Sequence, residues 1–180
     1  HSWSDYGKPS AVHELSKLVV QLASLNLPNQ PRTTMNVGKI SGGTSVNVIA
    51  SEAMLDLDLR SENEKSLAEL VSTAESLIQN ANKPNVSVEA EVIGQRPAGE
   101  ISASHPLVML AKDCLQEQRL EAGLISGSTD ANLPLSKGYP AIVLGVTTGG
   151  SAHTMNEYIH TAPAEKGIEQ LARFVERVWG

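Results

Sequence analysis

Apolar runs long enough to cross a bilayer are missing from this chain; nothing approaches the ~20 residues that a spanning helix needs. Aromatic residues make up only 3% of its 180 residues, so a core must be built from aliphatic side chains. Cysteine is reduced to Cys114, which excludes an intrachain disulfide framework and favours a reducing compartment, the cytoplasm. Positive charge is scarce too. Fourteen Lys and Arg stand against 20 Asp and Glu, a formal charge of −6, and no basic run interrupts that balance. A nucleic-acid partner or an anionic membrane surface is therefore not expected. Repeats and low-complexity tracts are absent as well. What remains is 41% hydrophobic and 19% charged, enough for one large domain or two small ones, each with a core.

The apolar spacing alternates between helix and strand periods. Residues 10–25 read as a helix capped by Ser10, with Val12, Leu15, Val19 and Leu22 on one face, and Pro28 and Pro31 break it. TTMNVGKISGG, 33–43, reads as a strand ending in a glycine turn. AMLDLDLRS, 53–61, has strict period two, with Ala53, Leu55, Leu57 and Leu59 facing the core. Ser61 and Glu64 form a capping box before a helix over 63–81, whose stripe is Leu67, Leu70, Val71, Ala74, Leu77 and Ile78. NVSVEAEVIG, 85–94, alternates again and predicts a strand. Helix, strand, strand, helix, strand is a ferredoxin-like βαββαβ unit lacking its first strand.

Past a linker at 95–104 the pattern changes. A helix over 106–119 gathers Leu107, Leu110, Ala111, Cys114 and Leu115. YPAIVLGV, 139–146, is nearly all apolar, as a strand covered on both faces would be. A last helix, 163–178, is expected to bury Ile168, Leu171, Val175 and Val178. This second part reads as a piece of an α/β layer.

Residues with chemistry are scattered, and each has a plain structural use. His153, three residues after Gly150 in GGSAHTMNEYIHTAP, has the imidazole that suits zinc, but a zinc site needs three or four protein ligands and no HxxxH, HxD or CxxC partner lies near. Ser128, Asp130 and His153 supply the residue types of a hydrolase triad. There is no G-x-S-x-G elbow, however, and Ser128 and Asp130 are too close in sequence for the two ends of a relay. In SGSTDAN, 126–132, Ser128 or Thr129 serves as well to cap a helix starting near Asp130, while free N–H groups there suit a carboxylate. Arg60 either pairs with Asp56 and Asp58 or forks onto a substrate carboxylate. Asn47 follows a Gly-Gly turn, where asparagine is common.

The order of these features is more informative than any one of them. GGTSVNVIASEAMLDLDLRSENE resembles the inserted lid, or dimerisation, domain of the zinc-dependent exopeptidases and deacylases, the family of acetylornithine deacetylase, succinyl-diaminopimelate desuccinylase and the glutamate carboxypeptidases. The opening HSWSDYGKPSAVHEL is similar to the stretch before the first lid helix, and SGSTDANLPLSKGYPAIVLGV with AHTMNEY is similar to the family's closing catalytic segment. The resemblance implies a lid over 1–103, a C-terminal segment of an α/β catalytic domain over 104–180, and a homodimer formed through the lid.

It also implies roles. His153 matches the terminal ligand of a two-zinc centre, and Asn47 and Arg60 match lid residues that bind the substrate carboxylate, with backbone contacts from Gly127. His1 matches a lid histidine that reaches across the dimer to stabilise an oxyanion. The implied reaction is cleavage of an amide bond next to a free carboxylate, in a small peptide or an N-acyl amino acid. The family's other zinc ligands and its catalytic glutamate precede the lid, and Glu52, Glu100 and Asp113 stand in no matching motif. The 180 residues alone are thus expected to be inactive and to hold zinc weakly. The competing expectation is a non-catalytic ferredoxin-like module that dimerises or binds a metabolite.

Overall fold

The computed structural model describes all 180 residues, which divide into two compact units, 1–95 and 96–180. The first is built from α1 (Ala11–Ala23), β1 (Thr33–Gly42), β2 (Ala53–Ser61) and α2 (Glu64–Ala81). The two strands form an antiparallel pair with Met35 opposite Leu59 and Val37 opposite Leu57, and the register shifts between Val37 and Lys39. The period-two pattern of β2 puts Leu57 and Leu59 against Leu18, Leu22 and Ala74 of the two helices, with Leu15, Leu77, Ile78 and Val88 completing the cluster. An aliphatic core is thus made by two helices on one face of a hairpin.

Three local expectations change. Leu18, absent from the expected face of α1, is among its two buried residues, with Leu22. Ser10 precedes α1 but its hydroxyl caps nothing. At α2 the cap is Asn63, whose side chain accepts from Ser66 N at 3.0 Å; Ser61 is drawn away by a 2.9 Å contact between its Oγ and Thr33 Oγ1. Asn63, two residues nearer the helix than Ser61, has the better reach to an unpaired N–H.

The strand expected over 85–94 does not form. A strand needs a ladder partner, and the sheet here contains only β1 and β2. The segment is held instead by one bridge between Lys83 and Val86 and by Asn82, which accepts from Val88 N at 2.8 Å and donates to Val88 O at 3.2 Å. Val86 and Val88 keep the alternation and are partly buried. Beyond them Val92 and Ile93 are exposed.

The second unit contains α3 (Pro106–Glu117), a one-turn α4 (Asn132–Ser136), a short hairpin of β3 (Gly149–Gly150) with β4 (Tyr158–Ile159), and α5 (Ala164–Trp179). His105 caps α3, its Nδ1 accepting from Leu107 N at 3.1 Å, and Pro106 occupies the first turn, where its missing N–H costs nothing. The core is Ala111, Cys114 and Phe174, with Leu107, Leu110, Ile142 and Leu144 against it. Glu117 joins the helix pair at the surface by accepting from Arg177 at 2.8 Å and Arg173 at 3.3 Å. These guanidinium hydrogen bonds, Arg177 first, hold its carboxyl below the usual range.

Here the apolar pattern misleads in two places. α5 buries Gly167, Gln170 and Phe174, whereas Ile168, Leu171, Val175 and Val178 stay exposed. The buried face is instead the one on which Phe174 packs against Ala111 and Cys114 of α3 and Gly167 lies against the backbone of Val146. YPAIVLGV forms no strand: Ile142 and Leu144 are half-buried on the helices, and Val143 between them is 62% exposed. A parallel strand buried on both faces requires neighbours on both edges, and the unit pairs only β3 with β4.

The approach at Gly167 gives a stability prediction. A Cβ placed there overlaps the carbonyl oxygen of Val146, a backbone atom that cannot rotate away. Gly167→Ala should therefore destabilise the second unit by about 1–3 kcal/mol despite alanine's better helix propensity. Urea unfolding followed by circular dichroism reads this directly, and an unchanged or raised midpoint would show that α5 does not sit against Val146.

Candidate functional site

The loop between β1 and β2 carries GGTSVN and brings Asn47 beside the first residue of the chain. Asn47 Nδ2 lies 3.4 Å from His1 Nε2, and Ser2 N donates to Asn47 O at 3.0 Å, which fixes the two segments together. Ser45 Oγ donates to Asn47 Oδ1 at 2.8 Å, turning the amide so that its NH₂ faces the imidazole. On the other side of the ring, His1 Nδ1 accepts from Trp3 N at 3.3 Å. A neutral imidazole that accepts at Nδ1 carries its proton at Nε2. Two donors then stand side by side on an exposed surface, and neither satisfies the other. An acceptor oxygen from outside, a carboxylate or a developing oxyanion, is what such a pair suits.

Arg60 lies on the exposed face of β2. Its Nε donates to Asp58 Oδ2 at 2.6 Å, the plain ion pair that the sequence offered as one option. The Nη groups have no hydrogen-bond partner in the chain, so the fork is only half used. Arg60 is not hydrogen-bonded to His1 or Asn47; of the first unit's three expected site residues, the fold joins two. Ser45, which orients Asn47, is not among the residues that the sequence points to. Its signal was the Ser-x-Asn spacing inside GGTSVN, a pattern that favours local side-chain bonding.

In the second unit, Gly127 is exposed in a loop, and a Cβ there would meet only Thr129 Cγ2 at 3.9 Å. The following turn is organised by Asn132, whose Oδ1 accepts from Thr129 N at 2.7 Å, and by Thr129 Oγ1, which accepts from Ala131 N at 3.2 Å. Ser128 caps nothing, and no hydrogen bond links Ser128, Asp130 and His153.

His153 occupies the turn of the β3–β4 hairpin, with φ +64°, and Ser151 has φ +54°. Two non-glycine residues in the left-handed region mark a turn held by its surroundings, an arrangement that clusters at functional sites. Glu157 Oε2 accepts from His153 N at 3.2 Å, while the imidazole is exposed and makes no hydrogen bond. At the hairpin base His160 Nδ1 contacts Thr148 Oγ1 at 3.0 Å, a structural use for that second histidine. No three His, Cys, Asp or Glu side chains gather around His153 or anywhere else. The residues of this chain do not by themselves fit a zinc centre, which needs three or four ligands around one ion.

Residues 6–86 match the family model described as a peptidase dimerisation domain. The N-acetyl-L-citrulline deacetylase of Xanthomonas campestris is 26% identical over 142 residues, covering 78% of this chain and 38% of that protein. The uncharacterized protein YqjE of Bacillus subtilis is 26% identical over 149 residues, covering 81% and 38%. Among solved structures, a tripeptidase from Staphylococcus aureus superposes with a TM-score of 0.75 at 23% identity, over 99% of this chain and 48% of its own. The aminopeptidase PepT of Bacillus cereus gives 0.69 at 24% identity, over 96% and 46%. The chain thus spans 38% of the length of the curated relatives it matches. The resemblance to a peptidase dimerisation domain is borne out over residues 6–86, and with it a mixed α and β chain with small antiparallel sheets.

Proposed function

We propose that this chain, whose residues 6–86 match the peptidase dimerisation domain, supplies the lid (1–103) and the closing catalytic segment (104–180) of a hydrolase. The reaction is cleavage of an amide bond next to a free carboxylate, in a small peptide or an N-acyl amino acid. The observation that carries this reading is the pairing of His1 Nε2 with Asn47 Nδ2, donors 46 positions apart that converge at 3.4 Å on an exposed edge.

Asn47 and the unused Nη fork of Arg60 bind the carboxylate. His1 presents its N–H to the oxygen of the scissile carbonyl, and in a homodimer made through the lid that carbonyl belongs to the partner's site. Gly127 adds backbone contacts. His153 is one ligand of a two-zinc centre, completed by residues outside these 180. Those residues also include the general base, so the 180 residues alone are inactive. A bare dimerisation module accounts for the first unit but gives His153 and its strained turn no purpose.

The carboxylate requirement is tested with the complete, zinc-loaded protein and matched substrates. Blocking the free carboxylate as its amide should lower kcat/KM by about 10- to 150-fold, the value of a hydrogen-bonded charge. Equal rates for both would remove the clamp from the account.

A further inference from the structure

Although the sequence has no basic run, the fold gathers lysines from positions 8, 17 and 83. They line an open cleft of about 460 Å³ at the start of α1, with Gly7, Pro9, Ser10, His13, Glu14 and Pro84. Glu14 is the only carboxylate on its walls. Its two oxygens accept from Lys17 at 2.8 Å and from Lys83 at 2.6 Å, and these hydrogen bonds hold its carboxyl below the usual range. Lys8 leans outward to Asp5 at 2.7 Å. Counting Asp5 as well, three ammonium groups face two carboxylates.

Two further features point into the same cleft. Ser10 is only 8% exposed, and its hydroxyl has no hydrogen-bond partner in the chain. Ala11 N donates to Ala50 O at 2.8 Å, but the N–H groups of Val12 and His13 find no acceptor, which leaves free donors at the start of a 13-residue helix. A hydroxyl that bonds nothing, orphan N–H groups and an excess of ammonium charge are the donors an oxyanion takes.

We propose that this cleft binds a phosphate group, either free phosphate or the phosphoryl end of a small metabolite. The inference is independent of the proposed hydrolase reaction. Lysine is a compact point charge that suits a tetrahedral polyanion better than the planar fork of a carboxylate. A single carboxylate would bring no more charge than Glu14 already holds there. A phosphate monoester carries −1.5 to −2 near neutral pH and has oxygens enough to reach Lys17, Lys83 and Ser10 together.

Isothermal titration of the full chain at low ionic strength, with inorganic phosphate and separately with phenyl phosphate, tests this. Saturable binding of either probe is expected, and the tighter of the two identifies the source. Lys83→Ala should weaken it about tenfold. Glu14→Gln should tighten it several-fold by removing the competing charge, an effect that misfolding would not produce. No heat of binding for either probe, or binding indifferent to both substitutions, would overturn the proposal.

Discussion

Replacing His1 by alanine in the complete protein should lower kcat by about 10²- to 10³-fold while KM changes little, the pattern of a lost oxyanion donor. The reason lies in where the imidazole is held. Trp3 N fixes Nδ1 as an acceptor, so the proton sits on Nε2, and the neighbouring Asn47 Nδ2 at 3.4 Å cannot accept it. On the proposed reading that N–H meets the charge that develops on a carbonyl oxygen, and the contacts with Trp3 and Asn47 set its orientation before substrate arrives. Preorganisation of that kind acts on the transition state more than on substrate binding. Asn47, by contrast, is proposed to hold a carboxylate that is present throughout the reaction. A rise in KM at constant kcat for His1→Ala would assign His1 to the same clamp and remove it from the chemistry.

The parts legible in the sequence were those decided by local pattern. β2 begins and ends where its alternation does, at Ala53 and Ser61, because one face of a hairpin carrying helices must be apolar and the other polar. The parts that failed depend on neighbours. Val92 and Ile93 have the pattern of a strand and no strand to pair with, and YPAIVLGV has the composition of a covered strand with one side open. For α5 the stripe of Ile168, Leu171, Val175 and Val178 is real, but packing is settled by shape, and Gly167 and Phe174 fit the space beside α3 better. The site behaved likewise. His1 and Asn47 were found through motif order and the fold brought them together, whereas Ser45 and the Lys17–Glu14–Lys83 cluster emerge only once the loops are placed.

The second large effect concerns His153. His153→Ala in the complete protein should release bound zinc and reduce amide hydrolysis by more than about 100-fold, since even outer partners of metal ligands are worth 10- to 100-fold. Removing an exposed loop histidine with no hydrogen bond of its own should leave folding intact, so the melting temperature of the metal-free protein should not move. Metal analysis and rates on one preparation give both results. Retained zinc with full activity would return His153 to the status of an idle loop residue.

One measurement joins these claims: mix the His1→Ala and His153→Ala forms of the complete protein, let the subunits exchange, and assay hydrolysis. If each His1 serves the partner's site, every mixed dimer keeps one intact centre, and random pairing should restore about one quarter of the unmodified activity. Activity that stays at the level of the separate variants would contradict the account, because it would mean that His1 and His153 do not meet across a lid-mediated dimer.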